Sequence, residues 1–204
     1  MHYYHEFAER KIFELGQTSE NTRRLRQMGT RGLFGFYYKG KYYMVYNHFD
    51  SYFSYLGRDL LNELRKMIKE DKFDEWLELF KKLRMVAEND DATEEDIAKC
   101  QAYHDENVGD GHNWYSLLRK CQGSFEKVLQ SGFMCRQPQD KDNAISLDLF
   151  IEYIYVLDFD AKSFIIHYTN KDGTKVEEFD LYHLPCRLHL NKEHEYDVEA
   201  PVLK

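Results

Sequence analysis

The run Ile151-Glu152-Tyr153-Ile154-Tyr155-Val156-Leu157-Asp158-Phe159 is dense in β-branched and aromatic residues and has no helical period. Tyr153, Tyr155 and Leu157 alternate with Ile154 and Val156, so both faces of the strand are apolar and its place is the centre of a sheet. Downstream, strand-like spacing resumes over 163–169 and again over 174–179. Asp160-Ala161-Lys162 and Asn170-Lys171-Asp172-Gly173 supply the turns, which predicts a three-stranded meander.

Far upstream, two aromatic runs, 33–38 and 42–48, flank Lys39-Gly40-Lys41 and read as a β-hairpin. Between hairpin and meander the period changes. Leu60, Leu64, Met67 and Ile68 form one helical stripe and Trp76, Leu77, Phe80 and Leu83 another, with Asp71 placed to cap the second helix. Thr93 and Asp96 have capping-box spacing, and helical patterns follow at Trp114, Leu117, Leu118 and Cys121, then at Phe125, Val128 and Leu129. The expected fold is α+β: a predominantly antiparallel sheet with helices covering at least one face. Residues 1–27, with Phe7, Ile12, Phe13 and Leu15 ahead of a polar run, read as an N-terminal extension carrying a short docking helix. Residues 28–204 read as a single α+β domain with a mostly helical middle.

Composition bounds the partners. The chain has 204 residues, 43% hydrophobic and 31% charged, the profile of a soluble globular protein with enough core to need no staples. A formal charge of −8 repels a nucleic-acid backbone and disfavours that class of partner. Cys100, Cys121, Cys135 and Cys186 are widely spaced without a CxxC pair, which fits a reducing compartment. No apolar run approaches a membrane span, and the expected location is cytoplasmic.

Chemistry-bearing residues concentrate at one place. A hairpin brings its ends together, so Arg31 before the first strand meets Asn47, His48 and Asp50 after the second. Such a rim forms a ligand pocket if Arg31 binds a carboxylate or phosphate and Asp50 orients the His48 imidazole. It forms only a closed loop if Asn47 and Asp50 turn the backbone and His48 and Arg31 hydrogen-bond to it. Thr30 and Ser51 are the candidate nucleophiles of the neighbourhood, but neither GxSxG nor SxxK accompanies them. The glycines around the hairpin match no phosphate-loop pattern and imply close backbone approach or turns. His104, Asp105, Glu106, Asn107, Asp110 and His112 could in principle supply metal ligands, as could His183, His189, Glu193 and His194. Neither spacing matches a known ligand set, and no metal or cofactor is expected. The 16 Tyr and 14 Phe residues favour sheet packing and protein contact over base stacking, because little positive charge surrounds them.

Met28-Gly29-Thr30-Arg31-Gly32, Tyr46-Asn47-His48-Phe49-Asp50-Ser51-Tyr52, Leu56-Gly57 and the strand 151–158 together resemble an uncharacterised family of phages, large DNA viruses and some microbial genomes. The resemblance covers about a quarter of the chain and implies a virus-associated protein, in host cytoplasm or virion, in which the family's pattern often begins at the equivalent of Met28 and residues 1–27 are an extension. Phe53 and Tyr55 stand where that family's pattern has Pro and Gly. The opening Thr-Arg-Gly-Leu-Phe-Gly also faintly resembles the start of N-terminal-nucleophile amidohydrolases, which implies Thr30 as nucleophile once residues 1–29 are removed. The leading expectation is a binding or structural-interaction protein that contacts a protein, a second copy of itself or a small anion. The alternative is an amide or acyl hydrolase using Thr30 or Ser51 near His48 and Asp50.

Overall fold

The computed structural model describes residues 30–48, 50–88, 90–109, 112–136, 151–170, 173–186 and 188; the expected N-terminal extension lies outside them. A hairpin, β1 (Gly32–Tyr38) and β2 (Lys41–Asn47), turns through Lys39 and Gly40, both at positive φ. A wide π-type turn, Phe53–Gly57, runs straight into α1 (Arg58–Lys69), so the helix begins earlier than the stripe from Leu60 implied. Then come α2 (Phe73–Lys81), β3 (Arg84–Val86), α3 (Glu94–Cys100), α4 (Trp114–Leu117), α5 (Phe125–Ser131) and β4 (Phe133–Cys135). Next come β5 (Tyr153–Asp158), β6 (Ser163–Asn170) and β7 (Gly173–Asp180), followed by a short 3-10 turn, Leu181–His183.

Five strands form one mixed sheet in the order β2-β1-β5-β6-β7, with β5 at its centre as its two apolar faces require. Three of its four pairings are antiparallel; β1 and β5 run parallel because the helical middle carries the chain back across. Every residue of β5 is buried. Gly35 is the strand glycine with the strictest reason: a Cβ there would lie 1.9 Å from the Tyr43 carbonyl oxygen of the paired strand.

Register assigns the faces. Phe34 and Phe36, level with Tyr155 and Leu157, point to the side on which Phe164 and Ile166 also lie. There they share one core with Leu60, Leu64 and Met67 of α1, Trp76 and Phe80 of α2, and Phe125 and Leu129 of α5. Phe36 is the hub, with ring centroids 5.2 Å from Phe80, 5.4 Å from Phe125 and 5.6 Å from Phe159. The opposite face carries a separate apolar cluster of Met44, Ile154 and Val156.

Local signals explain the helix ends. Thr93 and Asp96 form the expected capping box, and Asp96 is further held by the Arg84 guanidinium at 2.6 Å, which keeps its carboxyl down at about 2. Asn113 and Ser124 cap α4 and α5, and Gly132 ends α5 in the left-handed region. Asp71 is not the cap of α2: it takes the left-handed position (φ 54°) of the tight turn after α1, which leaves Lys72 at the helix entry. The parallel pair β3–β4 was not expected, since three residues are too few for alternation to show.

Candidate functional site

The hairpin register pairs Gly32 with Asn47, and this places residues 30–31 against 48–51 at the end of the sheet. The Ser51 N–H donates to the Thr30 carbonyl at 3.0 Å, and the Glu152 N–H to the Arg31 carbonyl at 3.1 Å, so β5 joins the same rim. The Asn47 side-chain amide donates to Ser51 Oγ at 2.9 Å, and the Tyr155 hydroxyl donates to the Ser51 carbonyl at 2.8 Å. Ser51 is fully buried and Thr30 nearly so. Gly32 is glycine because a Cβ would lie 2.7 Å from the Ser51 side chain and from the Tyr153 carbonyl. This inner half of the rim is a clasp: polar atoms are paired and solvent is shut out.

The outer half is built by a segment that sequence reading did not connect to the hairpin. Gln122 Oε1 accepts from the His48 N–H at 3.2 Å and from Arg119 Nη1 at 2.6 Å. Arg119 also donates to the Tyr115 hydroxyl at 2.6 Å, and its guanidinium lies 5.1 Å from that ring's centroid. It is only 5% exposed, which makes it a preorganised cation on the turn after α4. Tyr46 meets the His48 ring edge-on at 6.0 Å.

Electrostatics at this half are cationic. Burial pushes the His48 pKa below its usual value, and the charges of Arg119 and Arg31 push it the same way. Burial raises the Tyr46 hydroxyl, while Arg31 and Arg119 pull it back down. Both guanidiniums therefore act on the His48 ring in the same direction as burial. Of the expected residues, the structure brings Thr30, Asn47 and Ser51 into the clasp and Arg31 and His48 into the cationic edge. Asp50 contributes its backbone carbonyl, which accepts from the Leu56 N–H at 3.3 Å.

Beside the rim is a small hollow lined by Tyr46, Trp114, Tyr115, Gln122 and Phe133 among others, about 20 Å³ in volume. That is room for about one water. Asp105 accepts from the N–H and the side-chain amide of Asn107, closing that loop on itself. Asp110, Gly111, His189, Glu193 and His194 lie outside the described residues, among which no three His, Cys, Asp or Glu side chains are placed to hold a metal ion. Burial raises the Cys100 thiol to about 11 and those of Cys121 and Cys135 to about 12, which makes them core groups; Cys186 is exposed. No described helix is long and apolar enough to cross a membrane.

Arg119, Tyr115 and Gln122 were missed as site residues. The one legible signal was the i, i+4 spacing of Tyr115 and Arg119, which puts ring and guanidinium side by side. Nothing local told that Gln122 reaches a backbone 74 residues earlier. No protein-family model, curated protein or solved structure matches the chain.

Proposed function

We propose that this chain is a binding protein that takes an oxyanion group, a carboxylate or phosphate, at the rim formed by Arg31, Tyr46, His48 and Tyr115, behind which the buried Arg119 adds its charge. The observation that carries this reading is the Gln122 bridge. It ties the His48 backbone to a buried Arg119, while the hairpin register sets Arg31 across from His48. Two guanidiniums at one edge of a chain with net charge −8 form a local positive field on an acidic molecule. A positive patch of that size holds a compact anion, while the net negative charge of the whole chain repels a polyanion such as nucleic acid. In this reading α1, α2 and α5 cover one sheet face and leave the sheet's end open as the contact surface. Burial of Ser51 and Thr30 favours binding over acyl transfer, because a nucleophile has to reach its substrate. The virus-associated setting rests on the family resemblance alone.

Isothermal titration of sulfate, and separately of a short oligoglutamate, against the full chain and its Arg31→Gln variant tests the proposal. Saturable binding is expected, weakened about 10- to 100-fold by loss of one charge-assisted hydrogen bond. Tight binding of sulfate alone points to a free small anion, and preference for the peptide points to a protein partner. Heat that neither saturates nor responds to Arg31→Gln overturns the reading.

A further inference from the structure

β7 ends the five-stranded sheet at the edge away from β2. Register decides which of its backbone groups face outward. Ser163 lies level with Asp180, and the Leu181 N–H donates to the Lys162 carbonyl at 3.0 Å, so the odd-numbered residues of β7 turn their backbone groups toward β6. The N–H and C=O groups of Thr174, Val176 and Glu178 therefore point out of the sheet, where they meet no partner among the described residues. All three residues are exposed, Val176 at 58%. Long edges are commonly blunted by a proline, a bulge, a cover or repelling charges. β7 has no proline, pairs with β6 without interruption and is open along alternate residues, so only its charges are left to guard it.

Those charges complement one another. We propose that β7 pairs with β7 of a second copy, antiparallel about a two-fold axis at Val176, and joins two sheets into one. Outward-facing groups have to meet outward-facing groups, which under two-fold symmetry puts the axis at a residue. An axis at Lys175, Glu177 or Glu178 sets that charge opposite its own copy, and one nearer either end leaves most of the strand unpaired. With the axis at Val176, Lys175 stands opposite Glu177 of the second copy, twice over, Thr174 stands opposite Glu178 of the second copy, and the exposed valine meets itself. The Glu177 carboxylate is already held in place, since Oε1 accepts from the Tyr168 hydroxyl at 2.6 Å. Lys175 lies on the same face and makes no ion pair among the described residues, so its ammonium is available to that carboxylate. The rim of Arg31 and His48 flanks β1 and β2, so dimerisation through β7 stands or falls independently of anion binding.

Sedimentation equilibrium of the full chain over a wide range of concentration is expected to show monomer in exchange with dimer. Lys175→Glu sets carboxylates opposite each other at both ion pairs and should weaken dimerisation about 10- to 100-fold. Adding Glu177→Lys restores opposite charges and should recover most of that loss. Register is read by disulfide trapping in a Cys186→Ser background, which removes the exposed thiol. Val176→Cys puts two Cα atoms about 5.5 Å apart, within disulfide reach, and should cross-link when diamide is added as oxidant. Glu178→Cys puts them about 14 Å apart and should not. A monomer at every concentration, a dimer indifferent to Lys175→Glu, or cross-linking as fast through position 178 as through 176 overturns the proposal.

Discussion

Replacing Tyr155 by Phe removes a single hydroxyl from the centre of the account. Tyr155 is fully buried in β5, and its hydroxyl donates to the Ser51 carbonyl at 2.8 Å, which fixes the loop that carries the rim. The ring remains in the variant, with its neighbours Tyr153, Phe53 and Phe164, so the apolar term is almost unchanged. What is lost is one hydrogen bond, worth about 1 kcal/mol net, plus the cost of leaving a buried carbonyl one donor short, about 1–3 kcal/mol in full. Partial relaxation of the loop brings the expected total to about 1–2 kcal/mol. With a urea m-value of about 2 kcal/mol/M the unfolding midpoint should fall by about 0.5–1 M with no change of slope. Tyr55→Phe, at a residue 53% exposed, is the control and should stay within about 0.5 kcal/mol. Ser51→Ala deletes the acceptor of the Asn47 amide on the same residue, so the double variant should lose less than the two single losses together. A Tyr155→Phe midpoint within about 0.1 M of the parent would refute the reasoning.

Gly35→Ala pushes a Cβ to 1.9 Å from the Tyr43 carbonyl and should abolish soluble folded protein or cost several times the roughly 1–2 kcal/mol expected of Gly40→Ala, whose φ of +74° opens on free space; urea midpoints check both. The folded pKa of Asp96, about 2, lies below its ordinary 3.8, so the stability it adds is fully present above 3.8 and fades as pH falls from 3.8 toward about 2. Arg84→Gln should flatten that part of the acid-unfolding profile. Glu63 behaves oppositely: burial raises its pKa above the ordinary 4.5 although Ser124 Oγ and the Glu126 N–H donate to it, so its penalty is absent below 4.5 and grows as pH rises through the folded value. Stability of Glu63→Gln should lack that decline. Iodoacetamide followed by mass measurement should modify Cys186 alone in the native protein, and Cys100, Cys121 and Cys135 only after unfolding.

The elements that could be read in advance were those whose own residues set their geometry. Two apolar parities placed β5 at the sheet's centre, Lys39-Gly40-Lys41 marked the hairpin, and Thr93 with Asp96 marked a helix start. Arg31, Asn47 and His48 were legible as a group because a hairpin's ends must meet. What stayed hidden depends on contacts between distant segments. The parallel β1–β5 pairing, the three-residue β3 and β4, and the Gln122–Arg119 half of the site are decided by packing of the helical middle, which no local period encodes.

The imidazole of His48 reports most directly on whether the rim receives an anion. Its pKa, followed by NMR through a pH titration in chloride and again in sulfate at matched ionic strength, starts below the usual value because burial and the charges of Arg119 and Arg31 oppose protonation. Sulfate bound at the rim beside Arg31 would favour the imidazolium, so the account predicts a saturable upward shift that Arg31→Gln diminishes. An unchanged His48 titration in sulfate would contradict it.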